Sequence, residues 1–518
     1  MKKISLLYKI QILLLMLLTV SCNENEFLSI DEVGSISSDD YLTTEEEVES
    51  AMWGVYNKLQ LLHSNDGWQS LYFVKNLPAD DCLAGSSSSG DQTDYQNLDD
   101  FEIEADNTKL EGVWTNLYTV INRANTVIND ADITISDYVV EMVAEAKAIR
   151  AYSYLELVTL FGGVPLRTEN AVEESDYHLA RSTADEVYAQ IETDFLEAIE
   201  DLPLKSEYSS GNKVRMSKGA AQALLGKAYL YQKEYAKAVT QFENVINSGE
   251  YALVANVDSV WRNSEEFGSE SLFEISYTSG ESYTWSTYSW DNSEESNIEV
   301  QLQGPRSDIF DVSGTSLPIN NGWGFNNPSA EIGAAFTAAG DSLRKAATLM
   351  SEAEFEATGG SIQDGIEAGT THDYEGYMRL KYATWSSETD GNATSELNYT
   401  TNWRILRYAD VLLMAAEAYH FNDEDGNALL ALNEVRNRAG LADETATGDD
   451  LFDAIVTERE LELAFEGSRF WDLVRWDMAE EELSDIGFVS GKHELFPIPQ
   501  DEIISNNEIS SDDQNPGY

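Results

Sequence analysis

Eleven tryptophans are spread through the chain, and their neighbours divide them into two groups. Trp53, Trp114, Trp403, Trp471 and Trp476 lie in stretches of helical apolar period, where an indole is expected in the core. Trp261 follows a strand-like run and is read as structural too. Trp68, Trp285, Trp290, Trp323 and Trp385 sit instead among Asp, Ser, Gly, Asn and Thr, which supply too few apolar neighbours to bury so large a ring. A flat, rigid indole left exposed can cover the face of axial C–H groups on a sugar ring, gaining about 1–2 kcal/mol per ring at little entropy cost. Two or three such rings in an arc would bind with roughly millimolar to micromolar affinity after association costs. The run Trp285-Ser286-Thr287-Tyr288-Ser289-Trp290 is the densest candidate platform, followed by Trp323 and then Trp68. Asn76, Asp80, Asp81, Asp291 and Asn292 are the polar side chains expected to orient hydroxyl groups beside it.

Other chemistry finds little support. The five histidines show no metal-binding spacing, no Gly-x-Ser-x-Gly elbow occurs, and no phosphate-cradling glycine loop is present. With 93 Asp and Glu, a pair of carboxylates at glycosidase separation has no meaning without geometry. The acidic stretch Phe421 to Gly426 fails as a calcium loop: with Gly426 sixth, Phe421 and Leu432 fall on ligand positions. No cofactor and no metal are expected.

The elements that would carry the aromatic loops are mostly helical. Val48, Met52, Val55, Tyr56 and Leu59 recur at helical spacing after Glu45, Glu46 and Glu47, whose charges suit a helix N-terminus. Trp114 to Ile128 and Val139 to Leu160 follow the same pattern, and Gly162-Gly163 with Pro165 stops the latter. From Lys218 to Gly249 the positions of Leu225, Gly226, Tyr229, Tyr235, Ala238 and Phe242 match a tetratricopeptide-type helix pair, in which small Gly226 and Ala238 permit close approach. A weaker copy begins near Arg407, with Ala416, Tyr419 and Ala428. Split copies pair Ala151 and Tyr154 with Phe195 and Ala198, and 43–62 with 114–131. Helical repeats are thus expected over about 43–250 and 400–480, and a loop-rich ligand face over about 63–100 and 251–395.

Charge narrows the partners. The 32 Lys and Arg against 93 Asp and Glu give a net charge of −61 and a pI near 4.1. Such a surface repels nucleic acid and polyanionic polymers and suits a neutral ligand in a saline habitat. At the N-terminus, Lys2, Lys3 and Lys9 precede the apolar run Ile10 to Val20, which ends at Ser21-Cys22. This is the layout of a bacterial lipoprotein signal over 1–21, with Cys22 as the lipidated first residue and 22–40 as a polar tether; the alternative reading is an ordinary secretory signal with an incidental Cys, and either one exports the chain. The remaining cysteine, Cys82, then has no partner for an intramolecular disulfide.

Many of these residues also fall into a known order. Tyr41-Leu42-Thr43-Thr44, Trp53-Gly54-Val55-Tyr56, Ile121 to Asn125, Arg150-Ala151-Tyr152 and Phe161 to Leu166 resemble SusD-like (SusD/RagB) outer-membrane lipoproteins. In the second half Gly322-Trp323-Gly324, Asn402-Trp403, Arg407 to Leu413, Glu458-Arg459, Phe465 to Arg469, Arg475-Trp476 and Gln514 to Tyr518 continue the resemblance. Departures are confined to tether and tail: no Pro follows Phe27-Leu28, and Asn506-Asn507 stands where Asn-Pro is usual. The resemblance implies one mainly α domain over 41–518, a tetratricopeptide-like scaffold bearing an irregular ligand face. It further implies a non-catalytic, lipid-anchored protein on the outer membrane facing the cell exterior, which captures oligosaccharides and passes them to a SusC-like TonB-dependent transporter. The charge favours a neutral glycan, and an acidic, salt-tolerant surface points to a marine bacterium and a β-glucan of the laminarin type, ahead of mannan or an α-glucan. Two competing readings are an endo-acting glycoside hydrolase and a helical-repeat scaffold or adhesion protein that binds no sugar.

Overall fold

In the computed structural model the described residues are 41–518, apart from 64–67, 172, 281, 290–294 and 392. Cys22, the tether over 22–40, Trp290, Asp291 and Asn292 therefore lie outside the described residues.

The chain is mainly α-helical, and its long helices start and stop where side-chain chemistry dictates. Helix α1 (Glu45–His63) opens on three glutamates, and α2 (Thr108–Asp130) on Asn107, whose side chain accepts from the Lys109 and Leu110 amides. Helix α3 (Asp137–Phe161) is capped by Ser136 and ends at Gly162, with φ 72°, a backbone state that costs glycine nothing. Thr183 and Glu186 form a capping box on α4 (Ala184–Asp201). The expected repeat is α5 (Lys218–Tyr231) with α6 (Tyr235–Ile246), and its copy is α7 (Tyr408–Phe421) with α8 (Asp425–Arg438). A Cβ at Gly226 would lie 2.5 Å from the Phe242 ring, so only glycine permits that crossing. Each helix from α1 to α8 packs on its spatial neighbour in a continuous stack, with α1 also against α3 and α9 (Asp449–Leu463) closing on α7. One apolar core runs the length of that stack.

The rest of the chain, chiefly 251–395, is irregular and is pinned to the stack by short strands. Strand β1 (Cys82–Gly85) pairs antiparallel with β3 (Phe325–Pro328), placing Cys82 opposite Pro328 and Gly85 opposite Phe325. Strand β2 (Ser271–Ile275) pairs antiparallel with β4 (Trp403–Arg407), which leads directly into α7.

Between stack and loops lies a buried ionic lattice centred on Glu462 of α9. Its carboxylate accepts from Arg344 Nη1 at 3.0 Å and also bonds Arg407 and Arg438. Arg407 reaches Glu270 at 3.0 Å and Glu466 at 2.7 Å, Arg438 reaches Glu270 at 3.1 Å, and Arg344 reaches Glu458 at 2.6 Å. Burial alone would raise the Glu462 pKa, yet Arg438, Arg407 and Arg344 hold it well below the usual carboxylate range. Removing one partner leaves unpaired charge in a medium that cannot solvate it. Arg407→Leu is therefore expected to cost about 3–5 kcal/mol in urea unfolding, whereas loss of the exposed Lys147–Glu197 pair costs below about 1 kcal/mol.

Candidate functional site

Three of the loop tryptophans come together. The Trp68 and Trp323 rings lie 6.0 Å apart between centroids at 21°, and Trp323 and Trp285 lie 6.3 Å apart at 17°. These separations are those of offset stacking, so the three near-parallel indoles form a staircase with Trp323 as its middle step. Phe325 supports the lower end with its ring 5.8 Å from Trp68. At the other end Trp285 is 54% exposed on a turn tip, where Thr284 and Thr287 bond each other's backbone and side chains.

Each step is fixed from behind. The Trp323 amide donates to Gln301 O at 3.0 Å, and its carbonyl accepts from Arg306 Nη1 at 3.1 Å. Its flanking glycines are obligatory: a Cβ on Gly322 would sit 2.3 Å from Gly304 Cα, and Gly324 has φ 70° with Arg306 packed beneath it. Trp68 adopts φ 66°, which costs a bulky residue roughly 1–2 kcal/mol. That strain is sustained by the buried Tyr95 hydroxyl, which donates to Trp68 O at 2.9 Å while accepting from the Ser70 amide. The root of the Trp285 turn is held by Asn398, which bonds both the amide and the carbonyl of Tyr283. Tyr288 meets Tyr283 edge-on at 5.7 Å and, with Trp323, covers the small cluster of Tyr283, Ile298 and Leu397.

Three of the polar residues expected beside the platform fall among the described residues, and all three are engaged inside the fold. Asn76, Asp80 and Asp81 are buried and join the loops to the segment Phe465 to Arg469. Asn76 accepts from the Gly467 amide at 3.1 Å and donates to Asn326, and Asp81 accepts from the Phe465 amide at 2.9 Å. Asp80 grips Arg469 through two bonds of 2.8 and 2.6 Å. Asp80, Glu331 and Glu482 bring carboxylate oxygens within 4.8 Å of one another, but Asp80 is already committed to Arg469. Trp385 also departs from expectation: it is buried in a second small core, with the Arg262 guanidinium 3.6 Å from its ring centroid. Trp53, expected in the core, is 38% exposed, whereas Trp114, Trp403 and Trp471 are buried.

Beneath the staircase, the short helix Ile298–Gln303 carries the buried Glu299. Burial pushes its carboxyl up to about 8, against weaker pulls from the Ser70 hydroxyl and Arg379.

Two family models match the chain, one described as the SusD family over residues 282–487 and one described as starch-binding associating with outer membrane over residues 31–230. The chain belongs to the SusD-like family. Among solved structures it is similar to a laminarin binding SusD-like protein, with TM-score 0.80 and 32% identity, covering 92% of this chain and 100% of that one. It is also similar to surface glycan-binding protein A from Bacteroides thetaiotaomicron in complex with laminarihexaose, with TM-score 0.76 and 26% identity over 91% of this chain and 100% of that one. SusD-like protein P2 of Formosa agariphila is 26% identical over 99% of both chains.

The Glu299 pKa has a consequence for stability. In the unfolded chain a glutamate ionises near 4.5, so between pH 4.5 and about 8 the folded state holds the extra proton. This stability is fully present below pH 4.5 and is lost as pH rises through 8, at about 1.4 kcal/mol per pH unit for an ideal isolated group. Melting temperature is expected to fall across that window, and Glu299→Gln to flatten the fall; equal slopes in the two proteins would refute this assignment.

Proposed function

We propose that this protein binds a neutral glycan, of the β-glucan class to which laminarin belongs, by stacking sugar rings on Trp68, Trp323 and Trp285, with Tyr288 at the Trp285 end. It does no chemistry on the glycan and hands it to a SusC-like TonB-dependent transporter. A lipid on Cys22 holds it on the outer membrane facing outward. The single observation that carries this reading is the indole staircase: three rings from loops far apart in sequence, each braced at its backbone, with 17–21° between successive planes. Rigid rings lose little rotamer freedom when they bind, so their apolar gain survives as affinity. The net charge of −61 favours a neutral polymer over an anionic one. Two of the similar structures carry laminarin or laminarihexaose in their names, in agreement with the ligand class.

Affinity electrophoresis of the signal-free chain through gels containing laminarin, mannan, starch or alginate, with a reducing-end assay on the same samples, tests this. Retardation by laminarin alone, with no new reducing ends, is expected. Trp323→Ala, which removes the middle step, should weaken laminarin binding at least tenfold, and Trp285→Ala about fivefold, with melting of Trp285→Ala unchanged. Release of reducing ends would favour the hydrolase reading, and retardation by alginate but not laminarin would overturn the ligand assignment.

A further inference from the structure

Trp53 lies one residue beyond Met52 on α1, turned about 100° from the buried stripe of Met52, Val55 and Leu59, and its ring reaches solvent. It is nonetheless held rigidly. The Arg215 guanidinium sits 4.6 Å from its ring centroid, and the Tyr56 ring leans on it at 5.7 Å. Arg215 is itself buried and fixed by Glu49 at 2.8 Å, Glu145 at 3.2 Å and the Tyr138 hydroxyl at 2.8 Å. An exposed indole braced in this way does not contribute its ring to the core, and it stands ready to bind without loss of side-chain freedom.

Trp53 forms one wall of a groove of about 360 Å³, within the range of small-ligand sites. The rim carries the exposed Asn57 and Thr278 and the part-exposed Glu295, an amide, a hydroxyl and a carboxylate that can meet sugar hydroxyls, while Gln60 and Tyr277 are bonded to Ser276, Glu295 and each other and form the floor. The groove and the staircase share a partition. Glu295 receives Gln60 Nε2 at 3.1 Å on the groove side, while its amide donates to the Tyr283 hydroxyl at 3.0 Å. The Tyr283 ring in turn lies under Tyr288 and Trp323.

We propose that the Trp53 groove is a second contact for the same glycan, engaged by a polymer whose chain extends past the staircase and unused by a short oligosaccharide. This rests on the proposed function of the staircase. Its role is to add a contact that only a long chain can reach, which selects polymer over short fragments by effective concentration.

Calorimetric titration of the signal-free chain with laminarihexaose and with polymeric laminarin tests it, alongside Trp53→Ala, Asn57→Arg and Trp323→Ala. Asn57→Arg narrows the groove from its exposed rim, one helical turn from Trp53, and leaves the Arg215 packing intact. Trp53→Ala and Asn57→Arg are each expected to weaken laminarin binding five- to tenfold while changing laminarihexaose binding less than twofold, with Asn57→Arg melting like the parent. Parental laminarin affinity in Asn57→Arg and Trp53→Ala, with binding lost in Trp323→Ala, would overturn the second contact and leave the staircase standing. Equal loss for both ligands in Asn57→Arg would mean one shared site and also overturn it. Failure of the parent protein to bind either ligand would remove both readings.

Discussion

The carboxylate of Glu462, shared by three arginines in the interior, is the interaction on which the arrangement of this protein turns. Arg407 comes from the end of β4, Arg438 from the end of α8, and Arg344 from a short helix of the loop face, so one buried anion gathers the helical stack and the irregular face at a point. Buried charge is costly unless paired and hydrogen-bonded, and here every guanidinium meets at least one further carboxylate. The chain has 32 basic residues against 93 acidic ones, and it places much of that scarce positive charge inside. The outer surface is left strongly acidic as a direct result, and such a surface repels anionic polymers.

The same segment that ends at Glu466 extends the constraint toward the staircase. Phe465, with φ 64°, turns its amide to Asp81 and its carbonyl to the Tyr72 hydroxyl at 2.7 Å, and Tyr72 in turn receives Asn326 at 3.1 Å. Asn326 lies in β3, three residues beyond Trp323. The middle indole is thus connected to the ionic lattice through a short run of buried hydrogen bonds. Loops as long as 251–395 would ordinarily be mobile, and bonds of this kind are what allow them to hold aromatic rings in one arrangement.

Much of the scaffold is legible in the sequence because it rests on local rules. The helix start at Glu45 to Glu47, the helix over 139–160 with its stop at Gly162, and the tight Gly226 crossing each depend on neighbours within a few residues or on a repeated spacing. The grouping of Trp68, Trp285 and Trp323 as loop rings could be read from polar surroundings, but their stacking could not, since it depends on the β1–β3 pairing and on glycines that meet across the fold. Asn76, Asp80 and Asp81 look like surface polar residues in a Ser- and Gly-rich stretch. Their partners stand 384 to 391 residues away, and no local signal reveals them. Trp385 is hidden for a similar reason, under Arg262 from a distant loop. Trp53 differs from expectation by a finer effect: in a helix whose apolar stripe includes Met52 and Tyr56, a ring beside the stripe shares its local apolar spacing yet points about 100° away from it.

The three indoles are the proposed seat of the sugar. A crystal structure of the signal-free chain grown with laminarihexaose tests it most directly. Pyranose rings stacked along Trp68, Trp323 and Trp285, with the glycosidic bonds intact, are the expected result. A saccharide ordered at another site while the staircase stays bare at saturating ligand would contradict it.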